Sequence, residues 1–407
     1  MCVRFLPAMA LAGLWVGVGP VFAQDDWVDL DAVVVVAKKV QPEAMAKPLT
    51  VMGAEALSRR QASTLGETLR GLPGVAATGF GPHASRPIIR GQDGDRVKIL
   101  QNSAPVGDAS AMSFDHAVGV SPYALEQVEI LRGPSALLYG GSAVGGVVNL
   151  VNRRIVRERL AGASQSVDLR VDSSNHGRLG AFEWEAPIGQ DWYGHVDGFA
   201  QKNGDTRTLR FTDNGEDPVT GQRVRNSAAQ ASGVGVGLSK VVGGGHWGVS
   251  VEADQSEYGV PKEVHTMIDM DRRRLAVSAD QTLSGQLWER VRLRAGVTDY
   301  QHHELEQAAL TSTFKNRAND VRVELSHQAI GPWKGLVGLQ WEYADLDVTA
   351  ASGEDPLLPR TTSPKLGLFV LEEMGLGAGT LRVGGRVEQA RAKAERTFDV
   401  ADYGTDG

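Results

Sequence analysis

From about residue 163 onward the chain repeats a pattern that few folds tolerate, a strict alternation of apolar and charged residues. Val291, Leu293, Ala295 and Val297 share one face of an extended segment, and Arg290, Arg292, Arg294 and Thr298 share the other. Val321, Val323 and Leu325 oppose Asp320, Arg322, Glu324 and Ser326 in the same way, and Leu381, Val383 and Val387 oppose Arg382, Arg386 and Glu388. Successive side chains of a strand point to opposite faces, so each segment presents one apolar and one charged surface. A water-soluble sandwich also alternates, but it does not set arginines along the non-core face of one strand after another. A barrel in a bilayer does, with its apolar face in lipid and its charged face toward a polar lumen.

The connections alternate too. Those at 188–191, 242–245, 282–287, 329–335 and 374–379 are short, whereas those at 204–227, 258–271, 301–319 and 349–363 are longer and polar. Short turns on one side and long loops on the other characterise bacterial outer-membrane barrels. The segments number roughly eleven, each near the ~10 residues that a membrane strand requires. Plugged barrels of about 22 strands are known, so the spacing predicts about half a barrel. The chain ends on Tyr403-Gly404-Thr405-Asp406-Gly407, which reads as a loop. A half barrel has a bare edge that lipid cannot satisfy, and the expectation is an N-terminal fragment or truncated gene product.

The N-terminus reads as a secretory signal peptide over residues 1–23. A basic start and an apolar run at 5–21 lead to small residues at the cleavage positions of Val21-Phe22-Ala23. The single cysteine, Cys2, leaves with it, so disulfides, thiol catalysis and cysteine-rich zinc sites are excluded from the mature chain. A net charge of −7 gives no bulk attraction to phosphate, so no nucleic-acid partner is expected. The sequence contains neither a G-x-S-x-G elbow nor an H-E-x-x-H pair, and the reading is not an enzyme.

Between signal and alternating region lie two zones. In residues 24–50, Asp31-Ala32-Val33-Val34-Val35-Val36-Ala37 is an extended, β-prone run. It suits pairing with the sheet edge of another chain, or serves as the first strand of the next domain. Residues 51–155 form a small α+β domain. Apolar spacing at Leu57, Leu65, Leu69 and Leu72 predicts one helix over 57–72, stopped by Pro73-Gly74. Strands are expected at 88–91 and 97–100, joined by 92–96, and again at 125–131 and 147–151.

Within 85–155 the residues become specific. Pro87-Ile88-Ile89-Arg90-Gly91, Val128-Glu129-Ile130-Leu131-Arg132-Gly133-Pro134, Leu138-Tyr139-Gly140 and Gly145-Gly146-Val147-Val148-Asn149 resemble, in order, the plug segments of TonB-dependent outer-membrane receptors. The run from Asp31 to Ala37 sits where such receptors carry the TonB box. The resemblance implies an α+β plug domain (51–155) followed by an antiparallel transmembrane β-barrel (156–407), about half of it present. It also implies residence in the bacterial cell outer membrane, contact with its lipid, and import energised by TonB and its inner-membrane complex. Arg90, Glu129 and Arg132 are charged groups in short plug strands, and they either lock the plug to the barrel wall or stabilise the plug internally.

Gln92-Asp93-Gly94-Asp95-Arg96-Val97-Lys98 and Ser113-Phe114-Asp115-His116-Ala117 are most similar to the zinc-uptake (ZnuD-like) group of these receptors. That likeness implies Asp115 and His116 as metal ligands, and Glu304, within Asp299-Tyr300-Gln301-His302-His303-Glu304, as a further one. Strand parity independently turns Tyr300, His302 and Glu304 to the lumen and His303 outward. A fourth ligand would come from the rest of the barrel or be water. By residue type alone, Asp115-His116 suits a turn with a surface histidine better than a metal site, and 302–304 suits an ordinary polar rim. Residues 258–266 hold one histidine and no His/Asp-rich insertion, so a ferric siderophore or other metal chelate is the alternative cargo. No cofactor is expected, and zinc enters as the transported substrate.

Overall fold

The computed structural model describes residues 50–213, 219–263, 265–351, 358–376 and 379–395. The signal segment and the TonB-box run at 31–37 lie outside the described residues. The plug comprises β1 (Thr50–Met52), α1 (Ala54–Arg60), α2 (Leu65–Leu69), β2 (Val75–Ala77), β3 (Pro87–Ile89), β4 (Val97–Gln101), β5 (Ala104–Pro105), β6 (Gln127–Leu131) and β7 (Gly146–Val151). Its main sheet has the order β1-β6-β7-β4-β5, and β2 pairs with β3 alone. Every residue of β7 is buried, as expected for a mostly apolar strand flanked on both sides, and its one polar side chain, Asn149, is hydrogen-bonded to Ser103 N and Glu129.

Two plug expectations change. The single helix over 57–72 is two helices, because Thr64 starts a second one by accepting a hydrogen bond from Glu67 N at 3.2 Å. Leu57, Leu65 and Leu69 still reach one core, so the apolar spacing identified the buried face but not the break. The strand expected at 88–91 ends at Ile89. Ile88 and Ile89 pair with β2, and β4 runs parallel to β7. Arg90 and Gly91 turn the chain between them in the left-handed region (φ +51° and +75°), and Arg90 N donates to Gly74 O at 2.9 Å.

The wall consists of β8 (Ser164–Asp172), β9 (Gly177–Gly189), β10 (Trp192–Asn203), β13 (Ala229–Val242), β14 (Gly245–Gly259), β15 (Thr266–Thr282), β16 (Trp288–Glu306), β17 (Ala309–His327), β18 (Trp333–Ala350), β19 (Thr361–Leu376) and β20 (Gly379–Ala390). These eleven pair in that order, all antiparallel, and β21 (Lys393–Ala394) adds to β19. A hairpin of β11 (Arg207–Asp213) and β12 (Val219–Arg223) stands between β10 and β13. Among the described residues the path runs from β8 to β20 without closing. No helix among them is long and apolar enough to cross a membrane. Burial is inverted relative to a water-soluble protein. Leu169, Val277, Leu368 and Val387 are exposed on the outer face, while Arg272, Arg274, Arg292 and Arg322 are buried on the inner one. The strand parity expected at 290–298, 320–326 and 381–388 holds throughout.

The segment 301–319, expected as a loop, is instead a continuation of β16 and β17 around Gln307-Ala308, both left-handed as a two-residue hairpin turn requires. Here both strand faces are polar, so composition resembles that of a loop. For the same reason β15 begins at Thr266, inside the stretch 258–271 also expected as a loop.

Arg90, Glu129 and Arg132 each bond inside the plug. Arg90 closes the β3 turn on Gly74, Glu129 accepts from Gln127 and Asn149, and Arg132 donates to Pro73 O. Other groups join plug to wall. Lys98 Nζ reaches Glu342 Oε1 at 2.6 Å, and burial pulls its ammonium below the usual lysine range while Glu342 opposes this. Arg154 is bidentate to Asp197 at 2.7 and 2.8 Å and also pairs with Glu252. Arg322 donates to Leu138 O at 2.8 Å and lies over the Tyr139 and Phe369 rings.

The residues that leave the plug run against a glycine row on the inner face of β13. A Cβ at Gly235 would fall 1.9 Å from Arg154 Nε, and one at Gly237 would fall 1.6 Å from Arg154 O. The missing side chains are the space that the plug main chain uses. Replacing Gly237 with Val should therefore unseat this segment and destabilise the protein by about 1–3 kcal/mol. Thermal denaturation in detergent checks it, with Gly375→Val as control, since nothing lies within 4 Å of a Cβ there.

Candidate metal centre

One end of the wall, next to the Gln307-Ala308 turn, brings plug and barrel histidines together. His302 and Glu304 sit two residues apart on β16, so strand periodicity sends both inward with Tyr300. His303 takes the opposite face, where it bonds Gln301 and Thr313. From the plug, the loop carrying Asp115 and His116 is pinned by Ala117 N, which donates to the buried Tyr258 hydroxyl at 2.9 Å.

His116 Nε2 lies 2.9 Å from Glu304 Oε1, and His302 Nε2 lies 4.0 Å from the same oxygen. The two imidazoles are 4.5 Å apart centre to centre, and Phe314 stacks on His302 at 4.3 Å. One ligand atom from each of His116, His302 and Glu304 falls within 4.8 Å of the others. His116 is 1 % exposed and His302 is fully buried. Tyr300 Oη lies 2.9 Å from His302 Nδ1, which orients the ring and turns its Nε2 to the cluster. That Nε2, and Nδ1 of His116, have no hydrogen-bond partner among the described residues. Two imidazole nitrogens and a carboxylate oxygen form a donor set suited to zinc, with a fourth position open.

Asp115 stands beside this trio, its Oδ1 4.0 Å from His116 Nε2 and bonded by the Ser113 hydroxyl. The structure thus gathers His116 and Glu304 as expected, sets Asp115 at the margin, and adds His302. The shared parity of His302 and Glu304 is the sequence signal that points to this ligand. Glu263, in the loop before β15, has its carboxyl raised above the usual range by burial and by the charges of Asp115 and Glu304. The field around the cluster is therefore acidic, which favours a cation.

Residues 41–147 match the family model described as the TonB-dependent Receptor Plug Domain. The chain is 32 % identical over 189 residues to the vitamin B12 transporter BtuB of Photobacterium profundum, a match covering 44 % of this chain and 30 % of that protein. In fold it is similar to the copper transporter OprC, with a TM-score of 0.72 at 17 % identity, over 87 % of this chain and 56 % of the other. It is likewise similar to the FrpB iron transporter from Neisseria meningitidis, with a TM-score of 0.67 at 11 % identity, over 85 % of this chain and 62 % of that one. The chain thus spans less than two thirds of the length of these proteins. It has a segment matching a TonB-dependent receptor plug domain, followed by an antiparallel wall with the fold of the receptors to which it is similar. This is the architecture of an outer-membrane protein.

His83, in the plug at its seam with the wall, is buried, and burial lowers its pKa to about 4. The unfolded chain, titrating near 6.5, takes up a proton before the folded plug does. Stability is therefore full above about pH 6.5 and falls as pH drops toward 4, by about 3 kcal/mol across that window. Chemical denaturation at pH 7 and pH 4.5 checks this, and His83→Phe should flatten the slope.

Proposed function

We propose that this chain forms the plug and leading wall of a TonB-dependent importer whose cargo is a divalent metal ion, zinc foremost. The observation that carries the reading is the His116–His302–Glu304 cluster, with one ligand on the plug and two on the wall. Such a site ties plug position to occupancy, because a plug that moves withdraws His116 and leaves the ion two ligands. Release then follows displacement. The force would come from TonB, which would add the run at 31–37 to its own sheet edge and pull through a ladder of main-chain hydrogen bonds. The ion passes chemically unchanged, so no catalytic group is required.

The iron- and vitamin B12-transporting relatives make a chelate receptor the competing reading. Burial of the two imidazoles beside Phe314 supports a bare ion, since a bulky chelate has no access to them. Equilibrium dialysis of the chain in detergent tests the choice. Zinc should bind at a site whose affinity His116→Ala, His302→Ala and Glu304→Gln each weaken at least roughly tenfold, with Asp115→Ala milder. Zinc binding unchanged in all three variants, or a ferric chelate binding in place of zinc, overturns the proposal.

A further inference from the structure

A second group of metal-ligating side chains lies at the opposite end of the wall. Glu183 and Glu185 share the inner face of β9, and His195 on β10 is the register partner of Glu185. These residues flank the short turn between Gly189 and Trp192, whereas His302 and Glu304 adjoin the hairpin turn at 307–308.

His195 and Glu185 are each 3 % exposed. Neither His195 Nδ1 nor Glu185 Oε2 has a hydrogen-bond partner among the described residues, yet they face each other at 3.9 Å. Glu183 Oε1 lies 4.0 Å from the same nitrogen. These separations exceed a hydrogen bond, and leaving buried polar atoms unsatisfied is costly. They approach the spacing of ligand atoms around one first-row cation, whose bonds are roughly 2.0–2.2 Å long.

The remaining atoms of the group are held from outside. Glu185 Oε1 accepts from Arg153 Nη2 at 2.6 Å and from Ser164 Oγ at 3.1 Å. His195 Nε2 faces Asp197 Oδ2 at 3.3 Å, and Asp197 is itself clamped by Arg154. A carboxylate behind a histidine, with the other ring nitrogen turned to a ligand, is the supporting arrangement found around metal-bound histidines. A cavity lined by Tyr123, Arg153, Asp168, Glu183, His195 and Asp197 gives access.

We propose that Glu183, Glu185 and His195 form a second site for a divalent first-row cation, with Arg153 of the plug acting as its competitor. Arg153 neutralises Glu185 while the plug is seated. Its withdrawal hands that charge to the cation. The site needs no ligand from the His116 cluster and stands whether or not that cluster holds cargo.

Cobalt(II) titration of the chain in detergent, followed by visible absorption, tests this in a His116→Ala/His302→Ala background that removes the other cluster. One cobalt per chain should remain. Glu183→Gln should weaken it at least roughly tenfold, and the Glu183 side chain is 40 % exposed, so this variant should keep the wild-type thermal midpoint. Arg153→Gln should tighten binding several-fold, an effect that a purely structural ion pair would not produce. No cobalt bound in the double variant overturns the proposal, and so does binding indifferent to both Glu183→Gln and Arg153→Gln. Loss of zinc at the His116 cluster with cobalt retained here would separate the two sites.

Discussion

The plug is held by wall arginines that donate into its main-chain carbonyls. Arg272 reaches Val106 O, Arg274 reaches Pro105 O, and Arg322 and Arg386 both reach Leu138 O. A guanidinium taken out of water must have its donors filled as well as its charge balanced. Glu252, Asp254, Asp320 and Glu324 balance the charge within the wall, and the plug's turns supply acceptors for the remaining donors. Each body thus completes the hydrogen bonding of the other. Each of these bonds involves a charged group, and exchanging it for water costs about 1.5–3 kcal/mol net. Beside them lies an apolar seam, in which Leu138 and Tyr139 of the plug pack with Leu336, Phe369 and Leu371 of the wall.

The same economy of inner-face positions builds the proposed metal centre. A lumen-facing row offers one residue in two, so β16 can contribute Tyr300, His302 and Glu304 as consecutive inward residues with related tasks. Tyr300 orients His302, and Glu304 meets the plug histidine. The plug contribution depends on Tyr258, which holds the main chain one residue beyond His116. Position on the wall is therefore set by strand register, and the plug loop is tied to that wall through Ala117 and His116.

Much of this was legible in the sequence, because lipid imposes a periodicity that nothing else in a chain of this kind requires. Val291 to Thr298 announced its two faces, and the burial of Arg292 and Arg294 follows from them. Residues above the lipid carry no such signal, so the hairpin around Gln307-Ala308 resembled a loop. The plug–wall contacts were open in the sequence for a different reason. Charged residues such as Arg90 and Glu129 are visible in a sequence, whereas the acceptors in use at Pro105, Val106 and Leu138 are carbonyls that every residue possesses. The break between α1 and α2 was similarly hidden, since one threonine cap decides it within an otherwise continuous apolar stripe.

The two cation clusters place plug residues in opposite roles. At the His116 cluster the plug supplies a ligand, and at the Glu183 cluster it supplies a positive charge that competes with the ion. With both proposed sites in place, displacement of the plug would act on them with opposite signs. It removes His116 from the one and Arg153 from the other, weakening the first while strengthening the second. Cation transfer along such a wall needs no separate gate for each site, because one rigid movement changes both affinities together. The direction follows from which chemistry the plug presents at each end.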